Sequence, residues 1–289
     1  MNMVYLNGRW IAAAEASVSV FDRGFLFGDG VYEVIPVYAG KLFLAVAHLE
    51  RLARSLAAVA IELPEYAQLP TLLNQLIAQQ QLQWGLVYLQ VTRGSDVQRS
   101  HLPTQPLRPT LFMCAQASPP PIVVPAPIRV VSMSDFRWQR GDIKGISLLG
   151  ATLIKQAAQH QGVGEALLHR EQQVTEGSAC NYFFVRDGVL FTPPADQQIL
   201  AGITRDWIIE LARANHISVQ ETSISLSAAY QADECFLTSS SRVIQPVYQI
   251  DDKLIGTGTV GPLTQRLCEY AAAQIHADPI KGDRPDAKN

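Results

Sequence analysis

Residues 118–127, SPPPIVVPAP, hold five prolines. Proline fixes φ and gives up its backbone N–H, so neither a helix nor an interior strand can run through such a stretch. It therefore divides the chain into a body over 1–117, a linker over 118–127 and a second body over 128–277. A length of 289 residues suits about two domains, and 48% hydrophobic residues let each build its own core. The polar, proline-bearing end, 278–289, reads as a loose tail.

Charge narrows the partners. Lys and Arg total 23 against 26 Asp and Glu, a net charge of −3, so there is no basic field for nucleic acid or an anionic membrane. The start, MNMVYLNGRW, lacks the apolar core of a secretion signal, and no run reaches the roughly 18 apolar residues of a membrane helix. The expected compartment is the cytoplasm. Cys114, Cys180, Cys235 and Cys268 stand far apart with no C-x-x-C pair, so they read as reduced structural thiols and no metal site is expected.

Periodicity indicates the elements. VYLNGRWI is a hairpin turning at Asn7-Gly8, and GVYEVIPVYAGKLFL a second one turning at Ala39-Gly40. HLERLARSLAAVAI spaces Leu49, Leu52, Ala53, Leu56 and Ala60 as one helical face, and 69–82 reads as another helix. LVYLQVTRG and TLFMCAQ are strands. Past the linker come the strand IRVVSM, a helix over 149–160, the strand EALLHR, and a hairpin in CNYFFVRDGVLFTPP turning at Asp187-Gly188. A helix starting just past Gly202 carries Ile203, Trp207, Ile208 and Leu211 inward; strands ECFLTSSS and VIQPVYQI and a helix over 261–275 follow. The class is α+β in two layers. FGDG is a tight turn feeding the strand from Val31 to Val37, not a G-x-G-x-x-G phosphate loop; no G-x-S-x-G elbow and no ligand-like histidine pair occurs.

Four segments carry chemistry. GDIKGISLLG sets the amine of Lys144 at the head of a small and apolar run, where a lysine commonly buries its stem and keeps its ammonium wet. VTEGSACN sets the acid of Glu176 among small residues just before a strand. LAGITRD opens a helix whose first N–H groups, at Ile203 and Thr204, have no partner within it and suit a phosphate. LTSSS crowds hydroxyls at a strand end. Each has an ordinary structural reading alone. Together they supply what a pyridoxal phosphate enzyme requires: an amine for the imine, a carboxylate for the ring nitrogen and a donor cup for the phosphate.

The ordered set DRGFLFGDGVYEV, HLERL, DIKGISLLG, VTEGSACNYF, GITRD and LTSSS resembles the class IV (fold type IV) aminotransferases, over practically the whole of Val4 to Cys268. The resemblance implies a small N-terminal α/β domain, a larger C-terminal α/β domain of pseudo-barrel form, and pyridoxal 5'-phosphate held in a homodimer with a shared active site. It implies that Lys144 forms the internal aldimine and that Glu176 keeps the pyridine nitrogen protonated. It gives Arg51, the N–H groups of Ile203 and Thr204, and Ser239 and Ser240 to the phosphate, and Leu200 to the ring face. Arg51 shares a helix face with Arg54, which as a sequence pattern is a solvated basic face.

Within the family the pattern is most like the D-amino acid transaminases, in which a tyrosine of VYEV and an Arg-x-His pair after TRG, reaching across from the other subunit, trap the substrate carboxylate. Here these are Tyr32, Arg99 and His101. The pair sits one place further from TRG than in such relatives, and Gly141, Ala179 and Cys180 also depart from them. Trp138, in FRWQR, is open between lining the site and packing. The expected activity moves the amino group of a D-alanine-like D-amino acid to 2-oxoglutarate. The alternatives are a branched-chain L-amino acid aminotransferase, an aminodeoxychorismate lyase and, from another class, a non-catalytic binder of the cofactor.

Overall fold

The computed structural model describes residues 3–277; the expected tail over 278–289 lies outside them. Contacts divide these residues into two units, one of 3–120 with Ile143–Leu148 and one of Pro121–Asp142 with Leu149–Ala277. The six residues around Lys144 thus group with the first unit, although they follow the proline linker in sequence. Among the described residues no helix is long and apolar enough to cross a membrane.

The first unit contains β1 (Met3–Leu6), β2 (Arg9–Ala12), α1 (Arg23–Phe27), β3 (Gly30–Tyr38), β4 (Lys41–Leu42), α2 (Ala45–Ala58), α3 (Leu69–Gln80), β5 (Gly85–Thr92) and β6 (Thr110–Ala117). Its sheet runs β2-β1-β6-β5-β3-β4 with every pairing antiparallel. One face is the core: Val31, Ile35 and Val37 of β3, Val87, Leu89 and Val91 of β5, and Leu111 and Met113 of β6 pack under the leucines of α2 and α3. The two-residue side-chain period puts Tyr32, Tyr88 and Phe112 on the opposite, half-buried face. Two expectations change here. Ala60 is not on the helical face, since α2 stops at Ala58 and Ala60 is exposed with φ at 52°. The hairpin at Ala39-Gly40 is brief, because β3 gives most of its length to β5.

The second unit contains β7 (Ile128–Ser134), α4 (Leu149–His160), β8 (Glu165–Arg170), β9 (Gln173–Val174), β10 (Asn181–Arg186), β11 (Val189–Thr192), α5 (Ile203–Ala214), β12 (Val219–Glu221), α6 (Leu226–Tyr230), β13 (Glu234–Ser239), β14 (Val243–Ile250), β15 (Lys253–Leu254) and α7 (Pro262–Ala277). These strands form one sheet, β12-β11-β10-β13-β14-β7-β8-β9, with β15 against β14. Parallel pairs occur where a helix carries the chain back, as α4 does between β7 and β8 and α5 between β11 and β12. Tyr182, Phe184, Cys235 and Leu237 point into a core closed by α6; on the other face Phe183 and Phe236 stack with centroids 4.9 Å apart, and α5 and α7 lie against β13. Pro246, which has no N–H to give, sits inside β14 just before the register with β7 begins at Val247. The mixed α and β content agrees with the α+β expectation.

Candidate active site

In the first unit, the backbone of Lys144 is fixed by β3. Tyr32 N donates to Lys144 O at 3.0 Å and Ile146 N to Gly30 O at 3.1 Å, with Val31 opposite Gly145 in an antiparallel bridge. Ser147 Oγ donates to the carbonyl of Gly28 at 3.0 Å, and Gly28, with φ at 65°, ends α1 in a left-handed conformation that glycine adopts without strain. The Lys144 amine then lies 4.2 Å from the centroid of the Tyr32 ring, half-buried rather than enclosed. Asp142, its neighbour in sequence, is engaged by Arg140 through two bonds of 2.9 Å.

One residue along β3, on the core face, is Glu33 at 0% exposure. It accepts Nε and Nη2 of Arg51 at 2.8 Å each and Nδ1 of His48 at 2.7 Å. Burial would raise the Glu33 carboxyl, but the hydrogen bonds and charge of Arg51, with His48 behind them, hold it at about 2. Burial, helped by the positive charges of Arg51 and Lys144, lowers His48 in spite of Glu33, so His48 is a neutral donor. Arg51 is therefore buried and ion-paired, and the solvated-face pattern holds only for its exposed neighbour Arg54. Strand phase was the signal for Glu33, an acid at a core position of β3. Helix phase was the signal for His48 and Arg51, three apart on the buried side of α2.

Arg99 and His101 are exposed on the loop after β5, and both flank the ring of Phe27. The guanidinium carbon of Arg99 is 5.1 Å from its centroid and the imidazole 5.7 Å.

In the second unit, Glu176 follows β9 and is 6% exposed. Its Oε1 pairs with Nη1 of Arg137 at 2.9 Å, and Oε2 accepts the N–H of Leu200 at 3.0 Å and Nδ2 of Asn181 at 3.3 Å. Burial pushes the carboxyl up, against the charge of Arg137 and the Leu200 N–H. Arg137 is itself forked onto Asp135 by Nε and Nη2 at 2.9 Å each. Leu200 thus reaches Glu176 through its backbone, and its carbonyl takes the Asn181 amide at 2.9 Å. Trp138 beside Arg137 is 55% exposed.

Asn181 also explains Gly202: a Cβ there would collide with its amide oxygen. Gly202 is the N-cap of α5 and offers no side-chain cap, and Ile203 and Thr204 open that helix in a buried turn. Across from Asn181 in the register is Thr238, whose buried Oγ1 has no hydrogen-bond partner among the described residues. Ser239 and Ser240 follow it, half-buried at the end of β13.

The donor set fits pyridoxal phosphate. The uncapped N–H groups of α5, an unpartnered buried hydroxyl at Thr238 and the half-buried hydroxyls of Ser239 and Ser240 suit a phosphate, and a buried acid clamped by an arginine suits a ring nitrogen. Lys144 and Arg51, an amine and a guanidinium, belong to the first unit. Arg137, Asn181, Thr238, Glu33 and His48 were not singled out by sequence. Among the described residues no group of three or more His, Cys, Asp and Glu side chains is placed to hold a metal ion.

A family model described as "Amino-transferase class IV" matches residues 30–250. A D-alanine aminotransferase from Listeria monocytogenes is 41% identical over 278 residues, 94% of this chain and 96% of that protein. One from Staphylococcus aureus is 36% identical over 282 residues, 97% of this chain and 100% of that protein. Among solved structures, the branched-chain amino acid aminotransferase of Escherichia coli superposes with a TM-score of 0.89 at 25% identity, covering 95% of this chain and 94% of that one. A T.th. branched-chain amino acid aminotransferase with pyridoxamine 5'-phosphate gives 0.88 at 27% identity, covering 99% of this chain and 96% of that one.

Proposed function

This chain belongs to the class IV aminotransferases, pyridoxal phosphate-dependent enzymes, and on that premise we propose that it transfers the amino group of a D-alanine-like D-amino acid to 2-oxoglutarate. The reading is carried by near-full-length similarity to D-alanine aminotransferases, together with the Arg99 and His101 pair gathered on Phe27.

When bound, the cofactor supplies an aldehyde for the amine and a ring that withdraws electrons from the substrate Cα. Lys144 Nζ is the amine that would hold that aldehyde, and as a free amine it would serve as the general base for the Cα proton. Tyr32, packed on the amine at 4.2 Å, limits where it can swing. Glu176 must stay ionised while buried, so that its charge favours a protonated ring nitrogen; Arg137 and the Leu200 N–H oppose the cost of that burial. The N–H groups of Ile203 and Thr204, the hydroxyls of Ser239 and Ser240, and Arg51 would hold the phosphate, and Glu33 and His48 fix the direction of the Arg51 guanidinium.

Tyr32, Arg99 and His101 receive the substrate carboxylate. Both loop residues are exposed on the single chain, which supports a homodimer in which each copy lends this loop to the other's site. The four cysteines are free thiols, as a reducing cytoplasm keeps them, and the proposal includes that compartment.

Purified enzyme offered D-alanine and L-leucine in parallel, each with 2-oxoglutarate and a Lys144→Ala control, tests the reading. Turnover of D-alanine that vanishes in the control is expected. Activity confined to L-leucine would establish the branched-chain alternative instead, and a yellow protein inert toward both would support the non-catalytic binder.

A further inference from the structure

The loop that presents Arg99 and His101 is held from α1. Its first limb is fastened by Arg23 N to Gly94 O at 2.9 Å, by Asp96 N to Phe21 O at 3.3 Å, and by an isolated bridge between Asp22 and Ser95. The Asp96 carboxylate closes its neck, accepting Val97 N at 2.7 Å, Thr104 N at 2.8 Å and Thr104 Oγ1 at 2.6 Å. Between these points lies Arg23, 5% exposed, whose Nη1 donates to Ser100 O and Nη2 to His101 O, each at 2.7 Å. Its Nε donates to Asp29 at 2.9 Å, and Asp29 is held in turn by Arg93, which also donates to the carbonyls of Val59 and Ala60 just past α2. The Arg23 guanidinium carbon lies 4.8 Å from the centroid of Phe27, the ring that Arg99 and His101 also approach.

Successive carbonyls of an extended chain point to opposite sides, so one planar guanidinium can take two in a row only where the chain bends. The chain bends at His101 and Leu102. The Arg23 guanidinium is ion-paired with Asp29, a carboxylate it shares with Arg93, so the buried fork is not an unpaired cation.

We propose that Arg23 is a positioning residue for substrate: by fixing the backbone at Ser100 and His101 above Phe27, it sets the direction of Arg99 and His101 and hence the affinity for the substrate carboxylate. This rests on the reading that Arg99 and His101 bind that carboxylate.

The test compares wild-type holoenzyme with Arg23→Met, Arg23→Lys and Arg99→Met. Propionate serves as a carboxylate without an amine, and D-alaninol as an amine without a carboxylate. Arg23→Met should raise KM for D-alanine and Ki for propionate about tenfold, the effect of losing one or two well-made hydrogen bonds, while kcat at saturation and D-alaninol binding hold. Trypsin should cut after Arg99 faster in this variant, as the loop opens more often. Arg23→Lys keeps the charge beside Asp29 but not the fork; it should fall between the two, and it decides the matter if Arg23→Met does not fold. A wild-type Ki for propionate in the Arg23 variants, or equal losses for propionate and D-alaninol, would overturn the proposal. Arg99→Met separates the readings. An unchanged propionate Ki there sinks the carboxylate assignment and the proposal with it. A raised Ki there beside an unchanged one in the Arg23 variants removes the role of Arg23 alone.

Discussion

Glu33 in the first unit and Glu176 in the second are each a buried carboxylate facing an arginine, yet burial loses in one and wins in the other. Glu33 receives both Nε and Nη2 of Arg51, with His48 on the same carboxylate, and is held at about 2. Glu176 receives only Nη1 of Arg137, because Nε and Nη2 of that arginine are taken by Asp135, whose own charge pushes Glu176 further up. An arginine given whole to one acid makes a strut. An arginine divided between two leaves the second acid with a raised affinity for a proton. The first arrangement suits a residue that must only hold a neighbour still, and the second suits one whose charge is used.

The comparison breaks most easily at Glu33. Glu33→Gln leaves Arg51 buried without its carboxylate and should cost about 3–5 kcal/mol in urea unfolding of the apoenzyme. The sign with pH follows from the lowered carboxyl. The folded value of about 2 lies below the ordinary 4.5, so Glu33 contributes stability that is complete above the unfolded value and is lost as pH falls through the folded one. That contribution is on the order of 3 kcal/mol. Wild-type protein should therefore lose stability more steeply than Glu33→Gln between pH 5 and pH 2; parallel curves would show that Glu33 is not the strut described.

Glu176→Gln should do the reverse. Glu176 ionises against its burial, so a neutral amide of the same shape removes that cost, and stability should change by no more than about 1 kcal/mol. Turnover should fall about 100-fold, since the charge opposite the ring nitrogen is gone, with a smaller loss of cofactor affinity. Stopped-flow half-reactions with D-alanine, beside a cofactor titration of the apoenzyme, measure the two separately. A variant that loses stability and keeps its rate would make Glu176 a second strut and erase the contrast.

This contrast was only half legible in the sequence. The helical face of Leu49, Leu52 and Leu56 and the turn at Asp187-Gly188 are local signals, and they correspond to α2 and the β10–β11 hairpin. Glu176 stood out because an acid among small residues is unusual. Its partner Arg137 did not, because the two are far apart in sequence and no spacing rule joins β7's outgoing loop to the turn after β9. Glu33 was available from strand phase, yet an acid at a core position remains ambiguous until the element opposite it is known. Arg23 was hidden for the same reason: its partners are backbone carbonyls of Ser100 and His101, and carbonyls leave no mark in a sequence.

The smallest effect on turnover is expected at Asp135, and it bears directly on the idea of a divided arginine. Asp135 accepts Nε and Nη2 of Arg137, an Arg170 contact at 3.1 Å and the Thr175 hydroxyl at 3.0 Å. Asp135→Asn keeps much of this shape while removing the negative charge that competes for Arg137 and opposes the ionisation of Glu176. Glu176 should then ionise more readily, so the acid limb of the kcat profile moves to lower pH while the rate on the alkaline plateau stays as in the wild type. Substitution at Asp135 also weakens the hold on Arg170, so stability should fall by about 1–3 kcal/mol, and the profile must be taken well below the melting point. An acid limb that stays in place would mean that Arg137 is not divided in any sense that matters to Glu176, and that burial alone sets the difference between the two acids.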